Sequence, residues 1–365
     1  MHYLLLILFS LLFNFASAQS DSSWRKLPEL RISGFADVYY AYDFNSPQTQ
    51  YRQTFLYNHN RHNQFNLNLG FIKLALEHSK YRANFALQLG TYVSENYINE
   101  PGFLKNIFEA NAGISLARNN FLWIDGGIFA SYIGFESAIS SENWTLTRSL
   151  LAENSPYFLS GAKLTFKPNE KWEAAIIVCN GWQRIKPVQG NTLPGFGSQL
   201  RFVPNSHVTI NWSTFIGTDD PDVERRMRYF NNLFGKFEIS KEFGLIACCD
   251  VGVQQYFKNS NNYIVWFSPV IIARYSFLER WAVAARAEYY HDPQGAIIST
   301  PRGAFKTSGL SCNLDYAPIK NVLCRVEARW LNSSDKIFER NNKSVDDNYC
   351  IAASVAINFD KGFGR

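Results

Sequence analysis

The sequence predicts an all-β fold: a transmembrane antiparallel up-and-down β-barrel of about 16 strands, with short periplasmic turns and long extracellular loops. Three observations predict it. Segments of roughly ten residues alternate apolar and polar side chains along most of the chain, separated by turn residues. The links between them alternate between tight turns and long loops. Aromatics make up 16% of the 365 residues although the mean hydropathy is only −0.20, so polar and apolar residues are interleaved rather than segregated.

The chain opens with an apolar run from Leu4 to Phe13, then Ala16-Ser17-Ala18 before Gln19. This reads as a signal peptide over residues 1–18, with His2 but no Lys or Arg in its first residues. The run falls short of the ~20 residues a spanning helix needs, and no second apolar stretch of that length follows. Residues 19–30 read as a short periplasmic segment, and residues 31–365 as the barrel.

The segments begin near Arg31, Phe65, Tyr81, Asn106, Phe121, Tyr157, Trp172, Phe196, Val208, Arg228, Phe243, Tyr263, Trp281, Phe305, Val322 and Tyr349. "YRANFALQLG" sets Tyr81, Ala83, Phe85, Leu87 and Leu89 against Arg82, Asn84, Ala86, Gln88 and Gly90. "NIFEANAGISL" sets Phe108, Ala110, Ala112, Ile114 and Leu116 against Glu109, Asn111, Gly113 and Ser115. "VTINWSTFIG" and "WAVAARAEYY" follow the same period of two, which helical spacing does not fit. Turns such as "HSK", "KPNEK" and "SKE" alternate with long links such as "SPQTQYRQTFLYNHNRHNQ" and "SAISSENWTLTRSLLAENSP".

Alternation alone does not say which face is outside. About sixteen strands enclose an interior too wide for wall side chains to fill, so polar residues are expected to line it. The aromatics agree. Tyr81, Phe121, Phe166, Trp172, Phe202, Phe243, Tyr275, Trp281, Tyr316 and Phe359 stand beside the short turns, and Tyr42, Tyr289, Trp330 and Tyr349 near the other ends. Two such girdles mark the two membrane interfaces. In "CRVEARW", Cys324, Val326, Ala328 and Trp330 should therefore face lipid, and Arg325, Glu327 and Arg329 the lumen. Arg or Lys facing the bilayer midplane would cost about 2–4 kcal/mol.

The net charge of +5 is mild and no run of Lys or Arg forms a nucleic-acid arm, so nucleic acid is not an expected partner. Six cysteines without a C-x-x-C spacing are too sparse for a disulfide framework. Cys312 and Cys324 flank one short turn and could pair, but small wall residues is the favoured reading. His59 and His62 in "HNRH" are three apart, a spacing that can bind metal, yet they read as part of a solvated loop. His59, His62, His78, His207 and His291 are all placed in loops or turns, which argues against a nucleophile and base in the barrel wall. Trp182 in "GWQRI" reads as a girdle ring, with sugar stacking as the alternative. Asn143-Trp144-Thr145 matches a glycosylation sequon that means little at a bacterial surface. No cofactor and no metal are called for.

The stretches "RISGFADVYYAYDFN", "YNHNRHNQFNLNLGFIKLALE", "IFEANAGISL", "WIDGGIFASYIGFESAISSENWTLTRSLLAENSPYFLSGAKLTF" and "CNGWQRI" resemble, in order and extent, the beta-barrel porin-2 family of Bacteroidetes-type outer membranes. The resemblance implies an outer-membrane channel and supplies no catalytic residue. Barrels of this class often end on an aromatic residue, and here Phe359 or Phe363 would serve. By analogy with general porins, the third long loop, residues 136–156, would fold into the lumen and narrow it. Glu136, Glu142 and Glu153 would form an acidic side of that constriction, facing a basic side of Arg201, Lys236, Arg274, Arg286, Arg325 and Arg329. The competing reading has these charges pair with inward Glu173, Asp250, Glu288 and Glu327, or hold the loop in place. The implied function is passive or weakly selective diffusion of small hydrophilic solutes or ions; the alternative is a structural or ligand-binding barrel with a plugged lumen. Outer-membrane lipid and lipopolysaccharide are the expected surroundings, and a homotrimer the assembly by analogy.

Overall fold

The computed structural model describes Trp24 and residues 26–301 and 303–363, so the expected signal peptide lies outside the described residues. The barrel strands are β1 (Glu29–Asp43), β2 (Phe65–Glu77), β3 (Tyr81–Leu89), β4 (Ile107–Ser115), β5 (Leu122–Ala130), β6 (Phe158–Phe166), β7 (Trp172–Cys179) and β8 (Gly195–Asn205). They continue as β9 (Val208–Gly217), β10 (Arg228–Glu238), β11 (Phe243–Gln255), β12 (Tyr263–Leu278), β13 (Trp281–Asp292), β14 (Phe305–Ile319) and β15 (Val322–Ser333). A small hairpin of β16 (Phe338–Arg340) and β17 (Lys343–Val345) interrupts the last loop before β18 (Asp347–Phe363). Each barrel strand pairs antiparallel with its neighbour in sequence, and β18 closes on β1 from Leu30 opposite Phe363 to Asp43 opposite Cys350. Closure leaves no sheet edge, so the backbone groups of every strand find partners in the ring, as a hydrocarbon surround requires. The expected strand starts hold closely. The largest differences are Arg31 against Glu29 and Tyr349 against Asp347.

The period of two sorts the side chains. In β15, Arg325, Glu327 and Arg329 are 2%, 1% and 4% exposed, while Val326 between them is 46% exposed. In β3, Phe85, Leu87 and Leu89 lie outside and Ala86 and Gln88 inside. The turn-end girdle shows in facing pairs: Trp172 stacks on Phe202 at 4.2 Å, Trp281 on Tyr316 at 4.5 Å, and Phe243 stands opposite Tyr275. At the loop end Trp330 stacks on Tyr349 at 6.3 Å, beside a Tyr229–Tyr263 pair that the sequence reading did not include.

Several expectations need correction. The inner wall is not uniformly polar: Ile264, Trp266, Val270 and Ile272 of β12 and Ala282 and Ala284 of β13 are buried inside. Val270, Ile272 and Ala284 share one apolar core with Leu151 and Ala152 of a loop, and Trp266 another with Ile133 and Leu150, so parts of the lumen are closed core rather than an aqueous wall. Phe108 turns inward to stack on Phe71 at 4.9 Å, because a bulge where Ala86 gives way to Leu87 shifts the β3–β4 register. Trp182 is no girdle ring; it packs edge-on against the buried Phe215 and Phe230. His291 lies in β13, its ring stacked on Phe267 at 4.8 Å. His59 and His62 are buried, not solvated, because their loop is inside the barrel. The cysteines are free, with Cys312 opposite Ala328 and Cys324 opposite Tyr316.

Candidate functional site

The site is the lumen and the loops that enter it, above all those between β5 and β6 and between β1 and β2. An irregular segment inside a barrel brings backbone N–H and C=O groups away from bulk water, and each must find a partner. The loop between β5 and β6, residues 131–157, is provided for by inward side chains of the wall. At its root the Tyr132 hydroxyl donates to the Thr214 carbonyl at 2.6 Å, and the Gly134 N–H to Asn232 Oδ1 at 3.3 Å. At its tip Arg325 donates to the carbonyls of Ser140 and Asn143, both at 2.8 Å. Trp144 lies against β11 at Gly244, where a Cβ would come within 2.6 Å of the ring. Lys236 sits 5.1 Å from the Trp144 ring centre.

The returning half is held by charges. Arg286 donates to Thr145 Oγ1 at 3.0 Å, to the Thr147 carbonyl at 2.6 Å and to Thr147 Oγ1 at 3.0 Å. It also bonds to Glu327 of β15 at 2.9 Å and forms an ion pair at 3.3 Å with Glu288, two residues along its own strand. Glu327 accepts the Thr147 N–H at 2.6 Å, Asn313 Oδ1 that of Leu146 at 3.0 Å, and Glu288 that of Leu150 at 2.6 Å. Arg329 pairs with Glu288 at 2.7 Å. Strand cations thus take the loop's carbonyls and strand carboxylates its N–H groups. The helical turn Leu150–Glu153 is capped by Ser149, whose Oγ accepts from the Ala152 N–H at 3.2 Å and donates to Glu136.

The loop between β1 and β2 interlocks with this one. His59 Nε2 lies 2.9 Å from Asp37 Oδ2, its N–H donates to Asn68 Oδ1 at 3.0 Å, and the Arg61 N–H donates to the Tyr39 hydroxyl at 3.1 Å. Asn68 reaches inward because a bulge in the β1–β2 pairing falls there. Glu153 joins the loops: its Oε2 accepts from the Tyr57 N–H at 2.8 Å, the Asn58 N–H at 3.2 Å and Asn58 Nδ2 at 3.1 Å. Burial outweighs those bonds and the nearby Arg148 and Arg329, and pushes the Glu153 carboxyl up to about 7 from its ordinary 4.5. A raised carboxyl binds its proton more tightly in the docked form, so docking is strongest below 4.5 and weakens as pH rises through about 7. Burial also lowers His59, an opposite effect that acts only below its ordinary 6.5. The two effects oppose each other below about 6.5, so the loops should loosen chiefly as pH rises from there through about 7, and Glu153→Gln should flatten that response. Channel noise, or proteolysis of residues 44–64, against pH checks this; an unchanged profile in the variant would rule Glu153 out as the cause.

The opposite sector of the wall is polar and half-exposed. Lys73 pairs with Glu109 at 2.7 Å, Arg82 with Asp125 at 2.6 Å, Asn84 donates to Asn111 at 2.9 Å, and Gln199 to Asn211 at 2.8 Å. Arg82 reaches Asp125 over Gly113, the residue of β4 that stands between them; a Cβ there would collide with the Asp125 carboxylate. At the turn end, under the loop tip, lies a cavity of about 580 Å³ that includes Ser33, Phe71, Glu142, Trp144, Arg274 and Lys320 among its lining.

The nine residues singled out in the sequence divide in two. Arg286, Arg325, Arg329, Glu136 and Glu153 are engaged in ion pairs or in holding loops, and Lys236 pairs with Glu238 at 3.3 Å. The side chains of Arg201, Arg274 and Glu142 have neither a hydrogen bond nor an ion pair among the described residues, and Arg274 and Glu142 share the turn-end cavity. Of the suggested partners, Glu288 and Glu327 pair as written, Asp250 accepts from Asn232 at 2.6 Å instead, and Glu173 stands opposite Arg201 in the ladder without a side-chain bond. Sequence reasoning missed Asp315, Thr145, Thr147 and Asn313, whose roles depend on which wall the loop reaches.

The family model described as "Putative beta-barrel porin-2, OmpL-like" matches residues 29–359. None of the curated proteins matches the sequence. Among solved structures, the outer membrane channel DcaP of Acinetobacter baumannii is similar with a TM-score of 0.62 at 10% identity, over 91% of this chain and 98% of that one. An anion-selective porin from Comamonas acidovorans gives 0.60 at 10% identity, over 91% and 100%. OmpT of Vibrio cholerae in its trimer form gives 0.61 at 6% identity, over 92% and 100%. Identities this low speak for the barrel fold alone.

Proposed function

This chain belongs to that beta-barrel porin-2, OmpL-like family, an outer-membrane porin family whose fold is that of a channel rather than an enzyme, and from this premise we propose that it passes small hydrophilic solutes with weak selectivity. The observation that carries the reading is the division of the lumen. On this reading loop 131–157 narrows the bore by packing from β9 and β10 at its root round to β15, while Lys73, Arg82, Asn84, Glu109 and Gln199 of β2–β8 stay part-exposed toward the space that remains, although Ile177, Phe215 and Phe230 of β7, β9 and β10 are buried. The third long loop is the constriction in this reading.

Weak selectivity follows from the charges on that passage. Lys73, Arg82, Lys163, Arg201, Lys236 and Arg274 face Glu109, Asp125, Glu142, Glu173 and Glu238, a near balance of signs. Opposed charges screen each other's fields and favour polar over strongly charged solutes. Purified protein in a planar bilayer is expected to give stepwise conductance with a reversal potential near zero in a salt gradient. Reversing the unpaired Arg201 of β8 to Glu should move it toward cation preference, and an unmoved potential would take the passage away from that wall. A second reading, a plugged binding barrel, is favoured by the closed apolar core that reaches strands on several sides of the lumen. It predicts no conductance where a control porin conducts. The setting is the outer membrane, with lipid and lipopolysaccharide around the apolar band and a homotrimer as the proposed assembly.

A further inference from the structure

We propose that the turn-end cavity is a binding subsite for small zwitterions that carry an apolar group, such as free amino acids with aliphatic side chains. It rests on the porin reading only for its role as a way-station; binding itself does not require conduction. The cavity, about 580 Å³, falls within the size range of small-molecule sites. Its floor is aromatic: Phe35 and Phe71, with ring centres 5.8 Å apart, line it from β1 and β2. Its roof is the tip of the infolded loop, Ile139 and Ser141–Trp144.

The charges give the class of ligand. Most charges inside this barrel are answered: Asp315, which also lines the cavity, is taken by Arg325 at 2.8 Å, and Asp360 by Arg31 at 2.6 Å. Arg274 and Glu142 are not answered, nor is the exposed Lys320 at the rim on the side of Arg274's charge. Arg274, from the wall, and the exposed Glu142, from the roof, line one half-open cavity, and neither side chain bonds to another among the described residues. A guanidinium offers paired donors to a carboxylate, and a carboxylate accepts from an ammonium. A solute with both groups satisfies both residues, and an apolar side chain between them covers the Phe71 face. A neutral sugar answers no charge, a simple anion leaves Glu142 unanswered, and a simple cation leaves Arg274 and Lys320 unanswered.

Glu142 keeps its position because its neighbours are held: Arg325 takes the carbonyls of Ser140 and Asn143 on either side of it. The subsite is therefore assembled only while the loop is docked. This sets Arg274 and Glu142 apart from the buried pairs that do the docking.

The test is titration calorimetry of L-leucine into the detergent-solubilised full-length barrel, alongside single-channel recording with leucine on the turn side. Leucine should bind and interrupt the current, glycine should bind more weakly, and glucose, acetate and butylamine should be weaker still. Arg274→Ala and Glu142→Gln should each weaken leucine binding by about tenfold, the scale of one lost charge-assisted hydrogen bond. The unperturbed barrel of each variant is verified by its heat-modifiable migration. Binding that is absent, equal for glucose, or indifferent to both substitutions overturns the proposal even if the barrel conducts. Leucine binding with no conductance upholds it and removes the porin reading instead.

Discussion

Arg286→Ala is expected to free loop 131–157 from the wall and give larger, noisier conductance steps from a barrel that still closes. Arg286 is 2% exposed and holds two threonines of the loop while pairing with Glu327 and Glu288. Truncation leaves both carboxylates without that partner in a closed environment. Removing one member of a buried pair costs about 3–5 kcal/mol, most of it from the charge left behind. The β-strand ladder does not depend on Arg286, whereas the loop does, so the loop absorbs the cost by lifting away and letting water reach Glu327. Arg201→Ala is the control, an inward cation with no bonded partner among the described residues, and should leave the step size close to that of the unaltered protein. Recording both variants in one bilayer system decides the matter. Identical steps from Arg286→Ala and the parent would mean that the loop stays docked without it, against the role given to this network.

The difference between Arg286 and Arg201 also shows what a sequence can convey. Both lie on the polar phase of a strand, and that phase, set by side chains two apart, was readable from alternation alone; so were the strand starts, the closure and the turn-end girdle. Whether an inward charge is free or committed depends on which wall a 27-residue loop chooses, a long-range fact with no local signal. The same limit explains the β12 interior. Ile264, Trp266, Val270 and Ile272 share their strand with lipid-facing Tyr263, Val265 and Ile271, so this strand is apolar on both faces. Such a run, in retrospect, marks a wall that something covers. Phe108 and Asn68 were misplaced or overlooked because a bulge inserts one residue, and period-two reasoning carries an error forward until the next bulge. His59 shows the cost of treating loops as solvated: its buried ring lies against Asp37.

Sidedness can be tested most severely at Val326. It stands between Cys324, level with the turn-end ring Tyr316, and Trp330 of the loop-end girdle, and so near the middle of the apolar band. Val326→Arg would point a guanidinium at hydrocarbon, at a cost of about 2–4 kcal/mol near the midplane, or roughly a 30- to 1,000-fold loss in the ratio of folded to unfolded barrel. The neighbouring Arg325 and Glu327 give no relief, since their side chains leave the strand on the other face and are already paired. Asn84→Arg is the counterpart: the same residue is added to an inward, half-exposed position beside Asn111, where water and Glu109 one strand away can receive it. Urea unfolding in lipid vesicles should show Val326→Arg strongly destabilised and Asn84→Arg nearly unaffected. Equal stabilities would not fit a wall with lipid on one side and water on the other, and a reversed order would turn the barrel inside out. The assignment of lumen and membrane faces, and with it every role given to Arg274, Arg286 and Glu142, stands on that order.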